Sequence, residues 1–205
     1  IAYHEARAKG GVGMSTLEAV SVHAGSPTGL PLYSDDCIPF YEKLTKRIAP
    51  HGMKLFQQLY HPGASYAASL ETWSASAIPN PMANIMPMEM TKAQIDELVA
   101  SFASAARRCR DGGMDGVDVH ASSGYLIHEF LSTALNQRTD EYGGSRANRM
   151  RFLLEVVAAI RAEVNDDNFV VGVRIPNEDY VPGGLTAEEN AAIAKAVEPH
   201  VDYVS

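Results

Sequence analysis

The chain has 205 residues, with 17 Lys plus Arg against 25 Asp plus Glu and a formal charge of −8. That acidic balance argues against nucleic acid as a partner, and 46% hydrophobic with 20% charged residues marks a globular chain rather than a disordered one. No apolar run reaches the roughly 18 residues of a membrane span, and Cys37 and Cys109 are too few for a disulfide framework or a structural zinc site, so a reducing, cytoplasmic setting is expected.

The chain opens at Ile1 inside a helix-like phrase and not on a signal peptide, and reads as part of something longer. One phrase recurs three times: a helical pattern ends in basic residues and glycine, and an apolar strand pattern follows. It runs from Arg7 to Gly11 before a strand over 12–18, from Lys46 to Gly52 before 53–59, and from Arg107 to Gly113 before 114–120. Cations in a last turn suit the negative end of a helix, and glycine accepts the positive φ that ends it. Looser copies give strands over 170–175 and 201–204.

Between Asp35 and Ile48 the apolar residues Phe40, Leu44 and Ile48 recur every four and predict a helix. Thr91 and Gln94 have capping-box spacing, and Met90 and Ile95 that of a hydrophobic staple. Ile95, Leu98, Val99, Phe102, Ala106 and Cys109 then form one helical stripe. A further helix is predicted over 145–164, and Thr186 with Glu189 repeats the box before the last one. The Pro- and Met-rich stretch 61–90, with Trp73 inside it, is an insertion after the 53–59 strand, expected to wall or cover one end of the fold.

Strands alternating with such helices predict an α/β fold with a parallel sheet and right-handed crossovers. An open doubly wound sheet and part of an eight-unit barrel both fit this order. A whole barrel needs about 250 residues, so 205 holds only part of one. Side-chain parity separates the two architectures. Val117 and Val119 share one face, with Gly116, Asp118 and His120 on the other. Val171, Val173 and Ile175 oppose Gly172 and Arg174, and Lys54, Phe56 and Gln58 stand together. A polar set on the face opposite the helices suits a barrel interior. Gln58, His120 and Arg174 would then meet at the mouth formed by the strands' carboxyl ends, where barrel enzymes carry out their chemistry.

The stretch His120-Ala121-Ser122-Ser123-Gly124-Tyr125-Leu126-Ile127-His128-Glu129-Phe130-Leu131-Ser132, and the run from Asn136 through Tyr142-Gly143-Gly144-Ser145 to Phe152, resemble the Old Yellow Enzyme family of NADH:flavin oxidoreductases. Ala6 to Gly13, Gln58 to Gly63, Glu89-Met90-Thr91 and Val171 to Arg174 match in the same order. The Gly124 to Leu131 wording is most similar to the branch holding 2,4-dienoyl-CoA reductases, 2-enoate reductases and trimethylamine dehydrogenase. The resemblance implies that residues 1–205 are part of one FMN-binding TIM-barrel domain. About strands 2 to 6 would be present, with the first and last strands missing.

It further implies that Gln58 hydrogen-bonds the pyrimidine edge of FMN and that Arg174 lies beside N1 and O2, where a cation stabilises reduced flavin. A salt bridge from Arg174 to Asp118 is compatible with that role. Tyr125 resembles the proton donor of the alkene reductases. His120 resembles the first of a pair holding the substrate carbonyl oxygen, and the second falls at Ser123. That hydroxyl can donate but is shorter than the His or Asn found elsewhere. No metal site is expected, since His120 and His128 lack ligand spacing.

The implied reaction is NADH- or NADPH-driven reduction of an activated C=C bond in an enoate, enone or dienoyl thioester. One alternative is amine oxidation or demethylation of the trimethylamine dehydrogenase type, with a 4Fe-4S cluster and FAD in segments following Ser205. Another is a non-catalytic fragment unable to hold FMN, because the family's phosphate contacts come from late strands. The expected partner is a small-molecule substrate, with no nucleic acid and no membrane, and the resemblance leaves room for a homo-oligomer. Mixed charges from Arg138 to Arg151 are expected to form a hydrogen-bonded wall around the mouth.

Overall fold

A computed structural model describes residues 1–66, 68, 71–80 and 84–205. Helix α1 (Ala2–Lys9) leads into strand β1 (Met14–Ser21), then α2 (Ile38–Ile48) and β2 (Lys54–Tyr60). A short pair follows, β3 (Trp73–Ser74) and β4 (Met88–Glu89), and then α3 (Lys92–Asp111), β5 (Gly116–His120) and α4 (Leu126–Leu131). The chain continues through α5 (Arg146–Val164), β6 (Val170–Arg174), α6 (Ala187–Val197) and β7 (Tyr203–Val204). Five strands form one all-parallel sheet in the order β1-β2-β5-β6-β7. Neighbours in sequence are therefore neighbours in the sheet, as in an arc of a (β/α)8 barrel.

The three recurring phrases end as their chemistry dictates, with Gly11, Gly52 and Gly113 at φ 87°, 72° and 80°. At the start of α3 the Thr91 hydroxyl accepts from the Gln94 N–H and the Gln94 side chain accepts from the Thr91 N–H, a complete capping box. Met90 and Ile95 beneath it are buried. The second box forms only halfway. The Glu189 N–H reaches Thr186, but the Glu189 carboxylate turns to Arg146 and Arg149.

In α2 the inward face is Tyr41, Leu44 and Ile48, following the buried Cys37 just before it, while Phe40 is 38% exposed. The buried spacing of four continues through Leu44 and Ile48 but not to Phe40. Tyr41 takes the buried position because its hydroxyl donates to the Gln57 side-chain oxygen Oε1 at 2.8 Å.

Face parity holds along the strands. Leu55, Leu59, Val117, Val119, Val171 and Val173 enter one apolar core with the inner faces of α2, α3 and α5. The opposite face is layered. At the bottom the rings of Phe56 and Tyr203 meet edge-on at 6.2 Å. A Cβ on Gly116 would lie 2.4 Å from the Phe56 ring, and one on Gly172 would lie 2.0 Å from that of Tyr203. The glycines between them make room for those rings. Above lie Gln58 and Asp118, level with each other, and above these Tyr60 and His120, 6.4 Å apart, with Arg174 opposite His120 in register. Lys54 leaves this interior set. It is exposed and pairs with Asp115 at 2.7 Å at the amino end of the sheet, away from the mouth.

Residues 67, 69, 70 and 81–83 of the expected 61–90 insertion lie outside the described residues. The described part is tied down by backbone bonds from Met88 to Thr72 and from Met90 to Ser74, 2.8 and 3.0 Å. Among the described residues no helix is long and apolar enough to cross a membrane.

Candidate active site

The mouth is organised around Asp118, fully buried in the central strand β5. Its Oδ2 accepts from Gln58 Nε2 on β2 at 2.6 Å and from Arg174 Nε on β6 at 3.3 Å, and its Oδ1 accepts from the Tyr203 hydroxyl on β7 at 3.3 Å. One carboxylate thus gathers donors from three other strands, which satisfies the rule that a buried charge must be paired. Gln58 Oε1 and the two terminal nitrogens of Arg174 keep no partner among the described residues, and Arg174 is half-exposed. Gln58 and Arg174 therefore come together as the sequence led one to expect, joined by the salt bridge to Asp118. Tyr203, which also supports this group, was not legible in advance.

His120 ends β5, 7% exposed. The Ser122 N–H donates to its Nδ1 at 3.3 Å, and the Ser122 hydroxyl lies 3.1 Å from the same atom. With Nδ1 accepting, the ring proton of neutral His120 sits on Nε2, which has no partner among the described residues. Burial first, then the cation of Arg174, pushes the imidazole down to about 4. His120 is therefore neutral at physiological pH and presents a single N–H donor.

Tyr125 stands edge-on to both neighbours, its ring 5.0 Å from His120 at 90° and 4.8 Å from Tyr60 at 68°. Its hydroxyl makes no hydrogen bond among the described residues. Ser123 lies at φ 63°, a conformation costing a non-glycine residue about 1–2 kcal/mol, and Gly124 follows at φ 74°. This left-handed pair turns the chain sharply from the end of β5 into α4 and sets Tyr125 over the mouth. Ser123 itself is exposed, and its hydroxyl is 3.4 Å from that of Ser122. It joins His120 only through Ser122.

Three supports were missed in the sequence. His128 accepts the Gly124 N–H at 2.9 Å on Nδ1, and its Nε2 meets Asp179 at 2.7 Å. Asp179 also accepts from the Ser132 hydroxyl and the Leu185 N–H. Burial alone would raise this carboxyl, but those donors outweigh it and hold it below the usual range. The third is Glu129, 2% exposed in the wholly buried helix α4. Two polar residues inside an otherwise apolar six-residue run were the available signal.

The charged segment after α4 does form a wall. The Arg138 guanidinium donates to the carbonyls of Ala75 and Met90 at 3.0 and 2.8 Å and pairs with Asp140, while Arg149 reaches the Leu131 carbonyl and Glu189. Gly143-Gly144-Ser145 opens α5, with the Ser145 hydroxyl accepting the Asn148 N–H and the Gly143 and Gly144 carbonyls accepting from the Asn148 and Arg149 side chains.

Set beside known proteins, this arrangement is not isolated. The sequence model of the NADH:flavin oxidoreductase / NADH oxidase family matches residues 1–204. The chain belongs to this family. Within it, an NADPH dehydrogenase from Geobacillus sp. is 40% identical over 98% of this chain and 60% of its own length. A multifunctional alkene reductase/demethylase OYE from Caballeronia cordobensis is 38% identical over 96% of this chain and 29% of its own. Among solved structures, 2-naphthoyl-CoA reductase superposes with a TM-score of 0.86 at 32% identity, covering 99% of this chain and 34% of that one. Histamine dehydrogenase from Rhizobium sp. 4-9 gives 0.88 at 26% identity, covering 100% and 32%. The chain thus spans about a third to three-fifths of the length of these relatives, and its α/β sheet is part of a TIM-type barrel.

Proposed function

We propose that residues 1–205 act as part of one FMN-binding barrel domain of an enzyme that uses NADPH or NADH to reduce an activated C=C bond in a small molecule. The observation that carries this reading is the donor and acceptor set left open at the mouth. Gln58 offers a free carbonyl oxygen and Arg174 free guanidinium N–H groups, both fixed by Asp118. A flavin pyrimidine edge presents one N–H between two carbonyl oxygens, so the acceptor on Gln58 and the donors on Arg174 complement it. FMN, when bound, supplies hydride transfer, and the cation of Arg174 favours the reduced ring.

The chain's own residues then do three things. His120 donates Nε2–H to the substrate carbonyl oxygen, where negative charge grows as the β-carbon is reduced. One such donor is typically worth roughly 3 kcal/mol. Neutral His120 suits this role because its Nδ1 is already held by Ser122. Ser123 stands at the edge of the same site and meets substrate from the solvent side. Tyr125, with its hydroxyl unengaged and its ring 5.0 Å from His120, delivers the proton to the α-carbon.

Tyr125→Phe in the full-length protein tests this. Flavin content and bleaching by NADPH persist, while turnover of an α,β-unsaturated ketone falls by about 10²–10⁴. Unchanged turnover would overturn the role of Tyr125. A second reading, amine oxidation, draws on the names of the histamine dehydrogenase and demethylase relatives. Bleaching by an N-methyl amine without any nicotinamide would favour it over the reductase.

A further inference from the structure

Tyr125 owes its place to a turn that packing does not hold. Ser123 and Gly124 are both left-handed, at φ 63° and 74°. A Cβ on Gly124 would meet nothing within 4 Å, so that side of the turn is open and exerts no steric hold. Hydrogen bonds fix this backbone instead. The Tyr125 N–H donates to the Ser122 carbonyl at 3.3 Å, and the Gly124 N–H donates to His128 Nδ1 at 2.9 Å. The second bond is the shorter, and its acceptor is a side chain of the buried helix α4.

The partners of His128 settle its tautomer from both sides. A backbone N–H can only donate, so Nδ1 keeps its lone pair. A carboxylate only accepts, so Nε2 carries the proton and donates to Asp179 Oδ1 at 2.7 Å. The two side chains are 8% and 2% exposed. Asp179 is held in turn: its Oδ2 accepts from the Ser132 hydroxyl at 2.6 Å and from the Leu185 N–H at 2.9 Å, and its own N–H donates to the Leu185 carbonyl at 3.0 Å. The Thr133 hydroxyl adds a parallel tie, donating to the Gly183 carbonyl at 2.7 Å. The segment that carries the phenol is thus pinned to the loop that follows Arg174.

We infer that His128 and Asp179 are positioning residues for proton delivery: through the Gly124 N–H they fix the backbone from which Tyr125 reaches the substrate, and they tie that backbone to the strand ending in Arg174. The inference rests on the reading of Tyr125 as proton donor. Neither side chain takes part in the transfer itself, so the signature of the pair is selective. Protonation of carbon depends on it, and electron transfer alone does not.

Stopped-flow kinetics on the full-length flavin-loaded protein test this with two oxidants: an α,β-unsaturated ketone, which must be protonated at carbon, and ferricyanide, which takes electrons without a proton. His128→Phe removes both contacts and slows reoxidation by the enone by roughly 10²-fold, the cost of a misplaced catalytic group. Bleaching by NADPH and reoxidation by ferricyanide keep their wild-type rates. His128→Asn, which keeps an acceptor for the Gly124 N–H, recovers most of the enone rate. Asp179→Asn, on the opposite segment, gives a loss of the same kind. In a Tyr125→Phe background His128→Phe adds no further loss, as two residues acting through one step require.

Hydrogen–deuterium exchange gives a readout free of turnover. Amides of 121–126 and 175–186 exchange together, roughly tenfold faster in His128→Phe, as the loss of one such bond implies. Equal slowing of the enone and ferricyanide reactions, additive losses in the double variant, or wild-type exchange in both segments would overturn the inference. Undiminished enone turnover in Tyr125→Phe would sink the proton-donor reading instead, and the exchange data would still decide whether the pair holds the turn.

Discussion

Replacing Asp118 by Asn should both loosen the fold and empty the flavin site, because one carboxylate serves three donors. Asn keeps the shape but offers one carbonyl oxygen and adds two N–H groups facing Gln58 Nε2, Arg174 Nε and the Tyr203 hydroxyl. The 2.6 Å bond from buried Gln58 is charge-assisted and worth about 2 kcal/mol. The two contacts at 3.3 Å are longer and Arg174 is 47% exposed, so solvent screening reduces them to about 0.5 kcal/mol each. The expected loss is about 3 kcal/mol, or roughly 6–12 °C in Tm for a domain of this size. Thermal melts followed by circular dichroism on the full-length protein measure the first effect, and the flavin-to-protein absorbance ratio measures the second. A variant that melts within about 2 °C of wild type and keeps its full flavin content would refute the view that Asp118 holds Gln58 and Arg174 in place.

Burial, with a smaller push from His23, drives His61 down to about 3, below its unfolded value of about 6.5. The unfolded chain therefore binds a proton that the native one refuses as pH falls from about 6 to 4, and His61 makes the fold less stable in that window. Relative to His61→Gln, wild type should lose about 1.4 kcal/mol per pH unit there; parallel denaturation curves at each pH would disprove it. Gly172→Ala forces a Cβ onto the Tyr203 ring and should cost about 1–3 kcal/mol, with Tyr203→Leu recovering part of the loss in the double variant. Additive effects in that denaturant cycle would mean that ring and glycine are not in contact.

The sequence displayed the fold through periodicity and punctuation. The Thr91 box, the α3 stripe and the Arg107 to Gly113 ending each follow from local physics, and parity placed Gln58, Asp118, His120 and Arg174 on one interior face. What stayed hidden depends on distance along the chain or on competition between neighbours. Phe40 and Tyr41 are adjacent, and only the hydroxyl partner on Gln57 decides which turns in. Tyr203 sits in a strand of two residues, too short for parity to speak. The link from His128 to Asp179 spans 51 residues, and no local pattern encodes it. Ser123 was expected to share the substrate with His120, but the left-handed backbone that sets its hydroxyl beyond that of Ser122 is not announced by any local pattern.

The His128–Asp179 link also has an engineering consequence. It ties the segment after β5, which carries Tyr125, to the segment after β6 by way of Gly124, Ser132 and Leu185. Homologous grafts meant to alter substrate scope would have to transplant residues 121–133 and 175–186 as one cassette. Either half alone would arrive without its guy-rope, and the phenol would lose its aim even though every residue near it had been left untouched.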